Sequence, residues 1–324
     1  LALSLSAAAQ VSQQQFEGWL SDAQKEPLTG LPAQLADQGA QAKQTHYVFV
    51  QGFLGELIHS AFRDNMAALR TVGVADDHIH EVKISSLNPI PANVELFSSR
   101  LSSILSADND PIVLIGHSEG ATVVLAYALG ASEAIRHRLG GVYLVHGCFG
   151  GSPIADFLSG NGVPIDSRLP VAVRWVMEGI ESLDIADRIA GFEKATGMHF
   201  GAGAVSLTHA AETAFWQGFL ADHQTELQEV NSRVYYLRGY QTPQNVPYAM
   251  YVPDWYMDVY YGQNDGLVPL DYQLLDGVGS TLAVLQEDHN FAVGTSPNTK
   301  AAIAQRTAIT GALFMTAATD LAER

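Results

Sequence analysis

The chain has 324 residues, of which 47% are apolar, 9% aromatic and 16% charged. That composition fills the core of one large domain or two small ones and excludes a disordered chain. Acidic side chains outnumber basic ones 34 to 17, for a formal net charge of −17, and such a surface repels nucleic-acid phosphates and anionic headgroups, which excludes nucleic-acid binding. The single cysteine, Cys148, rules out an internal disulfide framework and any multi-cysteine metal site.

In chain order, Leu1 to Gln10 (LALSLSAAAQ) matches the end of a secretory signal, a short apolar stretch followed by an A-x-A pattern, so the expected location is secreted or periplasmic. No apolar run reaches the about 18 residues that span a bilayer, so no transmembrane segment is expected. Residues 1–45, rich in Gln and Ala, read as a helical N-terminal segment. A strand is expected at His46–Val50, a helix over Ala61–Leu69, a short strand at Ile79–Ile84 and a helix over Asn93–Leu105. The apolar strand Ile112–Ile115 runs into Gly116 and then into an apolar helix, Ala121–Leu129, and Val142–Val145 is another strand. Between Cys148 and Arg233 turns give way to amphipathic helices within Val171–Ala190 and Ala211–Val230, carrying Trp175, Phe192, Phe200, Phe215, Trp216 and Phe219. Strand character returns at Val234–Leu237, Met257–Tyr261 and Leu282–Leu285. Strands alternating with helices predict an α/β fold with a mostly parallel sheet covered on both faces. The expected organisation is a core of residues 46–147 and 234–324, with 148–233 as a helical insertion.

The sharpest local signal is Gly116-His117-Ser118-Glu119-Gly120. A G-x-S-x-G stretch between an apolar strand and an apolar helix has the pattern of a nucleophile elbow, a tight turn that exposes a serine hydroxyl above the sheet. A serine hydroxyl needs a base, and the base needs an orienting carboxylate. Downstream, Asp265 lies in Asn264-Asp265-Gly266 after the expected strand ending at Tyr261, and His289 follows the strand ending at Leu285. Both therefore fall in loops at the C-terminal ends of strands, where ligands bind in open α/β sheets. The order Ser118, Asp265, His289 assigns nucleophile, acid and base. His146, at the end of Val142–Val145, is a rival base, and Asp288 a rival acid better read as a loop anchor. The oxyanion donors expected are the backbone N–H groups of Glu119 and of Phe53, in the glycine-rich turn Gln51-Gly52-Phe53-Leu54-Gly55.

These residues resemble the α/β-hydrolase superfamily and are most similar to secreted triacylglycerol lipases of Gram-negative bacteria. The resemblance is carried by Val48–Gly55, Ile112–Gly120, Gly151–Asp156 and Gly262–Pro269 with a histidine following, and covers about His46–Phe157 and Val234–Asn290. It implies that Ser118, Asp265 and His289 form a catalytic triad, that Phe53 and Glu119 supply the oxyanion amides, and that 148–233 is a lid over an acyl-binding groove. Three positions depart from the family pattern. Gln51 stands where a histidine is usual, Glu119 replaces a glutamine after the nucleophile, and Phe291 replaces the calcium-binding aspartate two residues after the catalytic histidine. The last implies loss of the family's calcium site, so no metal and no cofactor is expected. The implied activity is that of a serine carboxylester hydrolase, a lipase or esterase acting on small-molecule or lipid esters. The same triad also serves thioesters, amides and polyesters, and a non-catalytic binding protein on this fold is the remaining alternative.

Overall fold

A computed structural model describes residues 11–26, 36–53, 61–183, 187, 190–191, 194, 202–294 and 299–322. The signal-like Leu1–Gln10 and, from the sequence-selected positions, Leu54, Gly55, Phe192 and Phe200 lie outside the described residues. Six strands form one sheet: β1 (His46–Val50), β2 (Ile79–Val82), β3 (Ile112–His117), β4 (Leu139–Val145), β5 (Val234–Gly239) and β6 (Ser280–Leu285). Their order is β2-β1-β3-β4-β5-β6, and every pairing is parallel.

Side chains along a strand alternate faces, and each face of this sheet meets its own helical layer. Tyr47, Phe49, Val113, Ile115, Tyr143, Val145, Tyr235 and Leu237 point to one core. It is closed by α1 (Gln13–Lys25), α2 (Ala36–Lys43), α3 (Arg63–Thr71) and the long C-terminal α13 (Lys300–Ala322). Val48, Val50, Ile112, Leu114, Val142, Leu144, Val234 and Tyr236 point to the other. That side is covered by α4 (Ile90–Ile104) and α5 (Glu119–Gly130), followed by the single turn α6 (Glu133–Arg136). Burying each such side chain contributes about 1.5–3 kcal/mol, so a sheet covered twice is the natural sink for near-continuous apolar strands. Helix α1 starts at a capping box in which Ser12 and Gln15 each satisfy the other's backbone N–H.

Between β4 and β5 the chain forms α7 (Pro153–Leu158), α8 (Val171–Glu181), α9 (Ala202–Ser206), α10 (His209–Asp222) and α11 (Gln224–Val230). This segment divides in two. Trp216 of α10 and Val230 of α11 are buried in the core over α5. Val173 and Met177 of α8 pack instead with Tyr256 and Met257.

The last two residues correct the expected strand at Met257–Tyr261. It is the end of a helix, α12 (Tyr248–Tyr261). Pro253 and the aromatic, β-branched run after it argue against a helix on propensity alone. Packing overrides that preference, because a helical turn puts both Tyr256 and Met257 at 0% exposure against α8. Asp265 therefore does not follow a strand directly. The chain leaves β5, makes the α12 excursion, and returns through a bridge in which Gln241 N–H donates to the Asn264 carbonyl at 2.7 Å. That bridge delivers Asp265 to the C-terminal end of β5.

Candidate active site

The C-terminal ends of five neighbouring strands, β1, β3, β4, β5 and β6, carry the residues singled out in the sequence. Ser118 links β3 to α5 with φ 57° and ψ −129°, outside the regions favoured by a side-chain-bearing residue. The turn is possible because its flanks are bare. A Cβ on Gly116 would collide with the Gly120 carbonyl, and one on Gly120 with the Val50 carbonyl. Ser118 is half-buried, and its N–H donates to the Val145 carbonyl at 3.1 Å, tying the elbow to β4. The turn after β1 approaches closely: a Cβ on Gly52 would lie 2.6 Å from the Glu119 nitrogen and 2.7 Å from Ser118 Cβ. Phe53, next to Gly52, is half-buried beside Cys148 and Val268.

Asp265 is fully buried. Its Oδ1 accepts from the N–H groups of Leu267 at 3.1 Å and Val268 at 2.8 Å. Its Oδ2 accepts from His289 Nδ1 at 2.8 Å, His146 Nδ1 at 3.1 Å and Gln273 Nε2 at 3.2 Å. Burial pushes this carboxyl up, but the charge of His289 and the hydrogen bonds from His146 and His289 prevail and hold it below the usual range. A carboxylate that accepts every one of these bonds fixes the proton of His289 on Nδ1, leaving Nε2 as the basic nitrogen. The His289 N–H also donates to the Asp265 carbonyl at 2.7 Å, so backbone and side chain align the two residues.

His289 sits against the elbow through its neighbour. The His117 ring lies 4.8 Å from the His289 ring, and His117 Nε2 donates to the His289 carbonyl at 2.7 Å. Burial, then the charges of His289 and His146, push His117 well below its ordinary value and keep it neutral. The loop after His289 is held from both sides of the first core. Phe62 N–H donates to the Val293 carbonyl and Asn65 Nδ2 to the Ala292 carbonyl, while the Arg306 guanidinium lies over the Phe291 ring. Asp288, the rival acid, accepts from the Asn290 N–H at 2.9 Å and anchors this loop.

Further groups complete the site. His146 is fully buried with φ 47°, a second strained residue at the same strand ends, and it shares the acid with His289. Its position after β4 was the only sequence signal. Gln273 is fixed by Gly239 on both its amide groups and offers no sequence signal at all. Beneath the elbow, the Glu119 carboxylate is buried and accepts from Asn93 Nδ2 at 2.8 Å. Burial, then the charge of Glu119, raises the carboxyl of Glu212 on α10 well above its ordinary range. Burial and these same carboxyls raise the Cys148 thiol, which keeps it from acting as a thiolate. Asp254 of α12, also fully buried, is pushed up to about 8 by burial and by the charges of Asp258 and Asp265.

The fold has solved counterparts. A metagenomic carboxyl esterase superimposes with a TM-score of 0.57 at 20% identity, over 84% of this chain and 74% of that one. A lipase of Bacillus licheniformis in its mature form gives 0.55 at 17% identity, over 76% of this chain and 85% of that one. Its propeptide form gives 0.53 at 18% identity, over 76% and 46%. This is the α/β-hydrolase fold. No protein-family model matches the chain, and no curated protein matches its sequence. In this α/β-hydrolase-fold chain no helix among the described residues is long and apolar enough to cross a membrane.

Proposed function

We propose that this chain is a serine carboxylester hydrolase with Ser118, Asp265 and His289 as its triad. The observation that carries the reading is the 2.8 Å contact from His289 Nδ1 to a buried, donor-saturated Asp265, with the His289 ring packed against His117, the neighbour of a strained Ser118. In this mechanism Ser118 Oγ attacks the ester carbonyl while His289 Nε2 takes its proton. Asp265 holds the tautomer and stabilises the imidazolium. The N–H groups of Glu119 and Phe53 receive the oxyanion, with the first turn of α5 behind it. His289 then protonates the departing alcohol. Water, deprotonated by the same nitrogen, attacks the acyl-enzyme and releases the acid.

The substrate class follows from the helices around the strand ends. Trp175 of α8 is 69% exposed and Tyr248 of α12 is 96% exposed, and both belong to the α8–α12 pair that stands outside the sheet's own cores. We assign this pair, within the block 148–233 and its neighbour α12, to covering an acyl-binding groove, so that the preferred substrates are esters with apolar acyl chains. The signal-like Leu1–Gln10 supports action outside the cytoplasm.

A fluorophosphonate probe tests the chemistry, since only an activated serine is labelled. The parent chain is expected to be labelled at Ser118 and to hydrolyse p-nitrophenyl acyl esters. Ser118→Ala is expected to lose labelling and to lower kcat by about 10⁴-fold or more with its melting temperature retained. Turnover near the parent level in folded Ser118→Ala ends the proposal.

A further inference from the structure

At the opposite, N-terminal end of the sheet lies a second cluster of histidines and aspartates that the proposed hydrolysis does not use. His46 opens β1, His80 is the second residue of the adjacent edge strand β2, and His78 closes the 3-10 turn just before that strand. Val48 pairs with His80, so alternation along the strands turns His46 and His80 to the same face. Asp108 and Asp110 come from the turn before β3, which pairs with the other side of β1. Three segments distant in sequence thus meet at one corner of the sheet. About five residues of strand, or about 16 Å, separate this corner from the Ser118 end.

The contacts are those of ligands and their supports. His46 Nε2 lies 3.0 and 3.1 Å from the two Asp108 oxygens, which leaves Nδ1 turned to His80 Nε2 at 2.9 Å. His78 Nδ1 lies 3.0 Å from Asp77, which leaves Nε2 turned to Asp110 Oδ2 at 3.3 Å. The His46 and His78 rings stack 4.6 Å apart. One donor atom from each of His46, His78 and Asp110 lies within 4.8 Å of the other two. Each of the two stacked rings therefore gives one nitrogen to a carboxylate and the other to the interior of the cluster, the arrangement by which metal-binding imidazoles are oriented. Donors around a tetrahedral zinc ion, with bonds of about 2.0–2.1 Å, stand about 3.3 Å apart, the separation of His78 Nε2 and Asp110 Oδ2. The corner is reachable: His46 is buried, but His78, His80, Asp108 and Asp110 are only half-buried.

We propose that His46, His78 and Asp110 bind one divalent transition-metal ion of the zinc class, and that Asp108 and Asp77 orient the two stacked rings. Imidazole and carboxylate donors suit zinc and cobalt over calcium or magnesium, which take oxygen ligands. The ion fastens β2, a four-residue edge strand paired on one side only, to β1 and to the turn before β3. This site is separate from the expectation drawn for the loop after His289, which concerned calcium near the triad.

The test is titration of the chelator-stripped full-length chain with Co(II), whose ligand-field bands report tetrahedral nitrogen and oxygen ligation. We expect one Co(II) per chain, displaced by Zn(II), and a melting temperature raised by Zn(II) because the ion binds only the folded corner. Asp110→Asn preserves shape and removes a charged ligand, and His78→Ala removes a half-exposed one. Each is expected to weaken Co(II) binding by about 100-fold or more, with far-UV circular dichroism unchanged, whereas His137→Ala, an exposed histidine elsewhere, binds as the parent does. Absence of saturable one-to-one binding in the parent, or titrations of Asp110→Asn and His78→Ala that match it, overturns the proposal.

Discussion

The two ends of this sheet assemble nearly the same residue types into different devices. At the C-terminal end two histidines, a glutamine and two backbone N–H groups all donate to Asp265, which no solvent reaches. At the N-terminal end the carboxylates are shared out, His46 with Asp108 and His78 with Asp77 and Asp110, and water reaches most of them. Convergence on one buried carboxylate leaves a single acceptor surrounded by donors, which fixes a tautomer and concentrates negative charge behind one ring. Distribution over several half-exposed carboxylates leaves ring nitrogens facing one another with no common proton acceptor between them. The first arrangement suits proton transfer, the second ion binding.

The contrast is broken most severely by Asp265→Asn. Every group around Asp265 is a donor, so an asparagine must turn its NH₂ toward either the backbone N–H groups or His289. Facing His289, it forces the wrong tautomer, and kcat is expected to fall by about 10⁴-fold in a steady-state ester assay, with KM little changed. At the other end the matching disruption, His78→Ala, is read in metal content and melting temperature. A smaller effect is expected for His146→Phe, which keeps a ring and deletes one donor to Asp265. The acid then holds the His289 ring through fewer neighbouring bonds. We expect kcat to drop by about tenfold with KM little changed. A role for His146 in packing alone would lower stability and leave kcat in place.

Subtler still is the carboxyl beneath the acid. Asp254, raised to about 8, binds its proton more tightly folded than unfolded, where an aspartate titrates near about 4. Its contribution to stability is therefore complete below about pH 4 and is lost as pH rises through about 8. Asp254→Asn is expected to melt several degrees above the parent at the alkaline end of that window and to converge with it at the acid end. Parallel melting curves across the window would refute this. The two tryptophans of the insertion separate packing from substrate contact. Trp216→Ala empties a core position at 2% exposure and is expected to cost about 3–5 kcal/mol in denaturant unfolding. Trp175→Ala, at 69% exposure, is expected to change stability by about 0.5 kcal/mol or less and to alter preference across an acyl-chain series. No change in that preference would remove α8 from the acyl site.

The elbow was the most legible part of the molecule, because a strained turn must advertise itself with glycines, and an apolar strand and helix on either side admit few other structures. The sheet was legible for the same reason: strands buried on both faces read as bare apolar runs. What failed was the strand expected at Met257–Tyr261, where the apolar spacing suits either period and only the contact with α8 decides. Asp265 was singled out by its turn sequence, and the element expected before it proved to be a helix instead of a strand. His146 and Gln273 were invisible as partners of Asp265 because their contacts depend on how β4, β5 and the turn at Pro269 stack in space. His78 and His80 are close in sequence, but their meaning as a cluster depends on His46 and the aspartates arriving from elsewhere.

The bridge between Gln241 and Asn264 has a consequence for how such a chain can change over time. Because the excursion bearing α12 leaves and rejoins at one point, the address of the acid does not depend on what lies between. Closing a longer or shorter loop at that stem differs in free energy only as the logarithm of its length. The stretch between those two residues is therefore an interchangeable cassette: a turn, a hairpin or a further helix pair spliced there would reshape whatever reaches the strand ends while the proton-handling groups stayed in register.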